Sequence, residues 1–252
     1  MPAIFRYALM ALLLMGLAAP FSQAQSVADQ VRQQIFEAYR NDDPASWEAA
    51  IQRLRQAWRA AERPTNDLLL ELAISEYGMI GLCQQRGSCD DIEARMDRVE
   101  GYLDQLAQQE TYRGRALALQ GGLVALRINE APWRGITLAS ESIDLIRQGT
   151  NASPDQPEAW VEMGNYRANA PELFGGDEKA ALRAYMRAVN LFERKPESQR
   201  NSWLYLHALA SLGRTQVSLG HTQKALQTYQ KALKVAPGFK LVESKLLPEL
   251  SR

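Results

Sequence analysis

Histidine and cysteine are the scarce residues of this chain, two of each among 252. Acid–base and metal chemistry therefore have little to draw on. His207 falls in a predicted helix and His221 in a predicted turn, and neither stands in a nucleophile motif. Both histidines are far in sequence from Cys83 and Cys89, which argues against a metal site. Net charge is also missing: 29 Lys and Arg balance 29 Asp and Glu. That balance removes the bulk basic field that drives nucleic-acid binding. No Walker-type loop occurs, and acidic pairs such as Asp90-Asp91 read as helix starts. No catalytic residue, metal ligand or cofactor can be assigned. Runs of β-branched residues are absent as well, and the abundant Ala, Leu, Gln, Arg and Glu favour helix.

Long apolar runs are lacking except near the start. Ala8 to Ala19 is apolar but short for a membrane span. With Arg6 before it and Ser22-Gln23-Ala24 after it, residues 1–24 read as a cleaved secretory signal. The mature chain is then expected to begin near Gln25, in a bacterial periplasm, with no later transmembrane segment. No cysteine ends the apolar core, so a lipoprotein anchor is not indicated. In an oxidising compartment Cys83 and Cys89 are expected to pair as a structural staple; their spacing is not the C-x-x-C of redox catalysts.

Helical periodicity covers the rest. Val27, Val31, Ile35 and Tyr39 share one face of a helix. Asp43-Pro44 opens a second, with Trp47, Ile51, Leu54 and Trp58 on one side. A third begins at Asn66 or Asp67 and is so apolar that it should lie centrally. A fourth is capped by Ser88 and carries Ile92, Met96, Val99, Leu103 and Leu106. Arg113 to Ile128 and Pro132 to Gln148 form a further pair, with Gly121-Gly122 at a point of close packing. No long linker or low-complexity segment interrupts residues 25–252, which therefore read as one all-α domain of about ten helices.

The clearest order lies between Pro157 and Pro237. In 201–237, Leu212-Gly213 is followed by Ala225, Tyr229, Ala232 and the stop at Pro237. In 157–196, Trp160, Met163-Gly164, Ala181, Tyr185 and Ala188 repeat the scheme. The small residues let two helices approach, and the tyrosines fill the seam. Gly213 and Ala225 are 12 apart but Gly164 and Ala181 are 17 apart, so the first unit carries an insert. Its residues Asn169, Pro171, Phe174, Gly175, Gly176 and Asp177 predict a turn, with glycine for positive φ and Asp177 as helix cap. Asn129 to Gly135 echoes the segment, with Pro132 and Trp133 in like places, which makes 113–150 a divergent pair and 66–108 another.

These motifs resemble the tetratricopeptide repeat (TPR), and the leader makes the chain look like an exported bacterial TPR protein. The Pro-x3-Gly-Gly-Asp insert is similar to that of a subfamily with a Gly-Gly connection inside one repeat. More distantly, the chain resembles the TPR component of tripartite periplasmic transporters. The resemblance implies a TPR-like α-solenoid with a concave groove lined by the first helix of each pair. Helical spacing puts Glu158, Val161 and Asn165 on that face in one repeat, and His207 and Arg214 in the next. Asn165 and Arg214 suit a peptide backbone or carboxylate. The expected role is a non-enzymatic adaptor that binds a protein or peptide. The alternative is a solute- or lipid-binding accessory of an uptake system, which needs an enclosed apolar pocket.

Overall fold

A computed structural model describes residues 27–87, 91–130, 134–196 and 202–250. They form eleven α-helices and no strand. The helices are α1 (27–40), α2 (Pro44–Ala60), α3 (Asn66–Arg86), α4 (Ile92–Ala107), α5 (Glu110–Glu130) and α6 (Gly135–Ala152). They continue with α7 (Pro157–Asn169), α8 (Glu178–Glu193), α9 (Trp203–Ser218), α10 (Thr222–Val235) and α11 (240–249), whose Val242–Leu246 is wound as a π-helix. From α3 to α10, successive helices pack in pairs and each pair lies on the next, which is an all-α solenoid. Residues 1–26, 88–90, 131–133, 197–201 and 251–252 lie outside the described residues, and with them the leader, the expected Ser88 cap, one half of the cysteine pair, Asp90 of the acidic pair and the Pro132–Trp133 echo.

Local signals start the helices. Asp43 Oδ1 accepts from the Ser46 amide at 3.1 Å, Asp177 Oδ1 from Ala180 at 3.0 Å and Ser202 Oγ from Tyr205 at 3.3 Å. Each such cap contributes about 1 kcal/mol. α3 begins at Asn66 as expected, capped by Thr65, whose hydroxyl accepts from Leu68 at 3.3 Å. The start of α4 differs from expectation. α4 begins beside Asp91, which holds a left-handed backbone (φ 57°) and gives no side-chain cap.

The two clear repeats share one packing device. A Cβ added at Gly164 would stand 2.5 Å from the Tyr185 ring, and one at Gly213 would stand closer still to the Tyr229 ring. Ala181, Ala188, Ala225 and Ala232 are fully buried beside them. The α5–α6 pair approaches as closely by another route: a Cβ on Gly149 would meet the Ala118 Cβ at 2.7 Å. There the Ser142 hydroxyl donates to the Gly121 carbonyl at 2.7 Å.

The insert is built as a bracket at the end of α7. A 3-10 turn spans Glu172–Phe174, and Gly175 follows at φ +89°. The Asp177 amide donates to Arg167 O at 2.8 Å, and the Arg167 guanidinium donates to Gly175 O. The single proton of the Tyr166 hydroxyl is shared between Phe174 O at 2.7 Å and Ala139 O at 3.0 Å. Arg167 and Gln216, each three residues after the glycine of its repeat (Gly164 and Gly213), are thus used differently. Arg167 ties the insert, and Gln216 accepts from Thr228 Oγ1 at 2.8 Å.

The solenoid closes on itself through α1. Arg32 holds Glu71 of α3 through donors at 3.0 and 2.8 Å. Tyr39 packs on Trp47 of α2, Trp203 of α9 and Phe239, with ring centroids 5.4–5.8 Å apart. Val31, Ile35 and Phe36 are buried in the same core as Phe239, Val242 and Leu246 of the terminal segment. α3 is apolar nearly all round because it is enclosed nearly all round. Its one deeply buried charge, Glu76, meets Arg55 at 2.7 Å, Arg98 at 3.4 Å and Arg95 at 3.5 Å.

Candidate functional site

The face on which a groove was expected holds a chain of hydrogen bonds instead. The Tyr77 hydroxyl of α3 donates to Glu162 Oε2 of α7 at 2.7 Å. Asn165 Nδ2 donates to the same oxygen at 3.3 Å. Asn165 Oδ1 accepts from the Tyr185 hydroxyl of α8 at 2.8 Å and lies 3.0 Å from His207 Nε2 of α9. Ser211 Oγ lies 3.4 Å from that ring nitrogen. The carbonyl oxygen of Asn165 thus uses both lone pairs, provided His207 carries its proton on Nε2. A Cβ at Gly122 of α5 would collide with Tyr77 and Glu162, so five helices, α3, α5, α7, α8 and α9, meet around this network.

Burial dominates its titration. It raises the Glu162 carboxyl to about 7, against the opposing bonds from Tyr77 and Asn165. It lowers His207 to about 4, with the Arg214 charge acting in the same direction. Tyr77 and Tyr185 are raised, burial again being the main cause. At neutral pH His207 is therefore uncharged, and Glu162 is poised between its two forms. Glu162 Oε1 is buried with no hydrogen-bond partner. Shifted groups in one cluster are the usual sign of acid–base work. Here Glu162 is only 1% exposed, so the cluster lies inside packed helices rather than in a cleft.

The residues assigned to the groove occupy different environments. Val161 is fully buried, so it presents nothing to a ligand. Glu158 is buried near Lys195, 3.7 Å away, and beside Glu71. Asn165 and His207 are committed to each other. Arg214 alone is exposed, and its charge reaches Tyr39, Tyr185 and Tyr229. The common cause is α1, together with the direct contacts of α3 with α7 and α9. Gly78 of α3, for example, leaves just enough room for the Trp203 and Trp47 rings.

The open concavity lies on the other side of α7, between α6 and α8. It encloses about 820 Å³. Trp160, Met163, Ala184 and Leu191 supply apolar lining, and Arg147, Arg167, Arg183, Arg187 and Arg194 supply charge, with no Asp or Glu among the lining residues. The Arg187 guanidinium sits 4.5 Å over the Trp160 ring and donates to Pro154 O at 2.8 Å. The Trp160 indole donates to the same carbonyl at 2.9 Å. None of these arginines stood out in the sequence, because they are spread over three helices in a chain of balanced charge. Their signal was the absence of acidic partners at i±3 and i±4 along most of α8.

The architecture has a counterpart among solved structures. It is similar to the crystal structure of a thermophilic TPR protein from Thermus thermophilus, with a TM-score of 0.56. Identity is 14%, and the match covers 89% of this chain and 100% of that one. No family model matches the sequence, and no curated protein matches it either. What the two chains share is the fold, and this chain is an all-α, TPR-like solenoid.

Proposed function

We propose that the chain is a non-catalytic periplasmic adaptor that binds a protein or peptide partner. The observation that carries this reading is the form of the accessible surface. The solenoid spends its inner face on its own core and offers an open, guanidinium-lined groove outside. The titratable cluster around Glu162 is sealed between α3, α5, α7, α8 and α9, where no substrate reaches it. A solute or lipid carrier would need an enclosed apolar pocket, and this groove is open and carries five arginines among its lining residues. Periplasmic location rests on the leader-like residues 1–24. Pairing of Cys83 with Cys89 goes with it; Cys83 is buried at the last turn of α3, where a short bridge would hold the link to α4.

The full-length chain, expressed with its leader in a Gram-negative host, tests both parts. The expected result is a shortened, disulfide-bonded protein in the periplasmic fraction, cross-linked in vivo to a discrete protein partner. An intact leader on a cytoplasmic protein would refute the location, and the absence of any cross-linked protein would refute the adaptor role.

A further inference from the structure

We propose that the outer groove between α6 and α8 binds an acidic polypeptide segment. The inference deepens the adaptor reading and rests on it for the class of partner. Five arginines line one groove in a chain whose charges balance overall. Carboxylates elsewhere in the protein are drawn into ion pairs with arginine, as around Glu76 and Glu71, but here the only ion pair among the described residues is weak. Arg147 faces Asp144 at 3.8 Å, and both side chains are more than half exposed. Among the described residues Arg183 and Arg194 have no carboxylate within ion-pair distance. The exposed Asp144 and, at longer range, Asp177 are the acidic groups that offset these five charges. Like charges gathered with so few counter-ions raise the energy of the free protein, and an anionic ligand relieves it.

Two of the five are already ordered. Arg187 is held on Trp160 and Pro154, and Arg167 on Gly175, so less side-chain entropy is lost on binding. Planar guanidiniums so placed suit bidentate carboxylate recognition. The apolar lining selects among polyanions. Met163, Leu191 and the half-exposed Met186 would contact apolar side chains between the carboxylates. Arg187 already covers one face of the Trp160 ring and competes with a base for it, which disfavours nucleic acid. A bilayer is flat and leaves a concave groove unfilled. α8 has 16 residues, which gives a groove about 24 Å long, enough for a short helix or about seven extended residues.

The test uses the mature protein and a fluorescent 12-residue peptide of alternating Glu and Leu. The comparison probes are a Lys–Leu peptide of equal length, an oligo-uridylate, and vesicles of phosphatidylglycerol with phosphatidylcholine. Saturable binding of the acidic peptide is expected, weakening with added salt and falling by about tenfold or more in Arg147→Glu plus Arg183→Glu. Both side chains are exposed, and unchanged circular dichroism and thermal melting confirm that the variant folds. Arg214→Glu on the inner side should bind as the wild type does. The proposal is overturned if the Lys–Leu peptide binds as well, if the double variant binds equally, or if only oligo-uridylate or vesicles bind. Periplasmic cross-links that persist in the double variant would overturn the groove and leave the adaptor reading standing.

Discussion

Replacing Glu162 by glutamine should stabilise the protein in mildly alkaline solution and not in acid. The carboxyl is raised from 4.5 to about 7 by burial. Each unit corresponds to about 1.4 kcal/mol, so ionised Glu162 costs the folded state about 3 kcal/mol. The sign follows from the direction of the shift. A raised folded-state value means stability that is fully present below the unfolded value, near 4.5, and lost as pH rises through about 7. Glutamine stays neutral and keeps an oxygen for Tyr77. It also puts an amide nitrogen where Oε1 is now buried without a partner, which costs about 1–2 kcal/mol. The net expectation is a gain of about 1–2 kcal/mol at pH 8 and a comparable loss at pH 4.5. Urea unfolding followed by circular dichroism at both values measures it. His207 supplies an internal control. Its folded value is lowered to about 4, so its contribution is present above 6.5 and disappears as pH falls through about 4. That acid limb should survive in Glu162→Gln. An equal change in stability at both pH values would refute the assignment of the titration to Glu162.

Other expectations follow from packing. Gly213→Ala drives a methyl into the Tyr229 ring and should cost about 1–3 kcal/mol in chemical denaturation. Gly164→Ala should do the same through Tyr185, and a neutral result at either site would break the parallel between the repeats. Glu76→Gln leaves Arg55, Arg95 and Arg98 short of their shared counter-charge. A loss of about 3 kcal/mol is expected in urea titration, and an unchanged midpoint would show that these arginines reach water. Deleting Glu172–Gly176 removes one of the two acceptors of Tyr166 and the acceptor of Arg167, and should lower the melting temperature. A deletion variant that melts normally yet loses a periplasmic cross-link would make the insert a binding element instead.

Some positions were legible in the sequence because their geometry admits few residue types. Gly164 and Gly213 face tyrosine rings, and Ala181 and Ala225 sit where two helices touch, so spacing alone reveals them. Asp177 and Gly175 announce the insert's turn for the same reason. The inner face was not legible in this way. Periodicity shows that Val27, Val31, Ile35 and Tyr39 share a stripe, but it does not say what the stripe meets. Its partners, Trp203 and Phe239, stand at the far end of the chain, and the curl that brings them together is the sum of many small rotations between pairs. A helical wheel likewise places Asn165 and His207 on the first-helix face without stating how wide the gap before that face is. One clue was present. Tyr77 and Trp203 are large aromatic residues at positions that a peptide groove would leave to solvent, and α3 has no polar side. A helix apolar nearly all round demands cover on nearly every side, and α3 finds it in α1 and in the inward coil of the solenoid. The open surface then lies on the outer helices, where the arginines of α6, α7 and α8 converge.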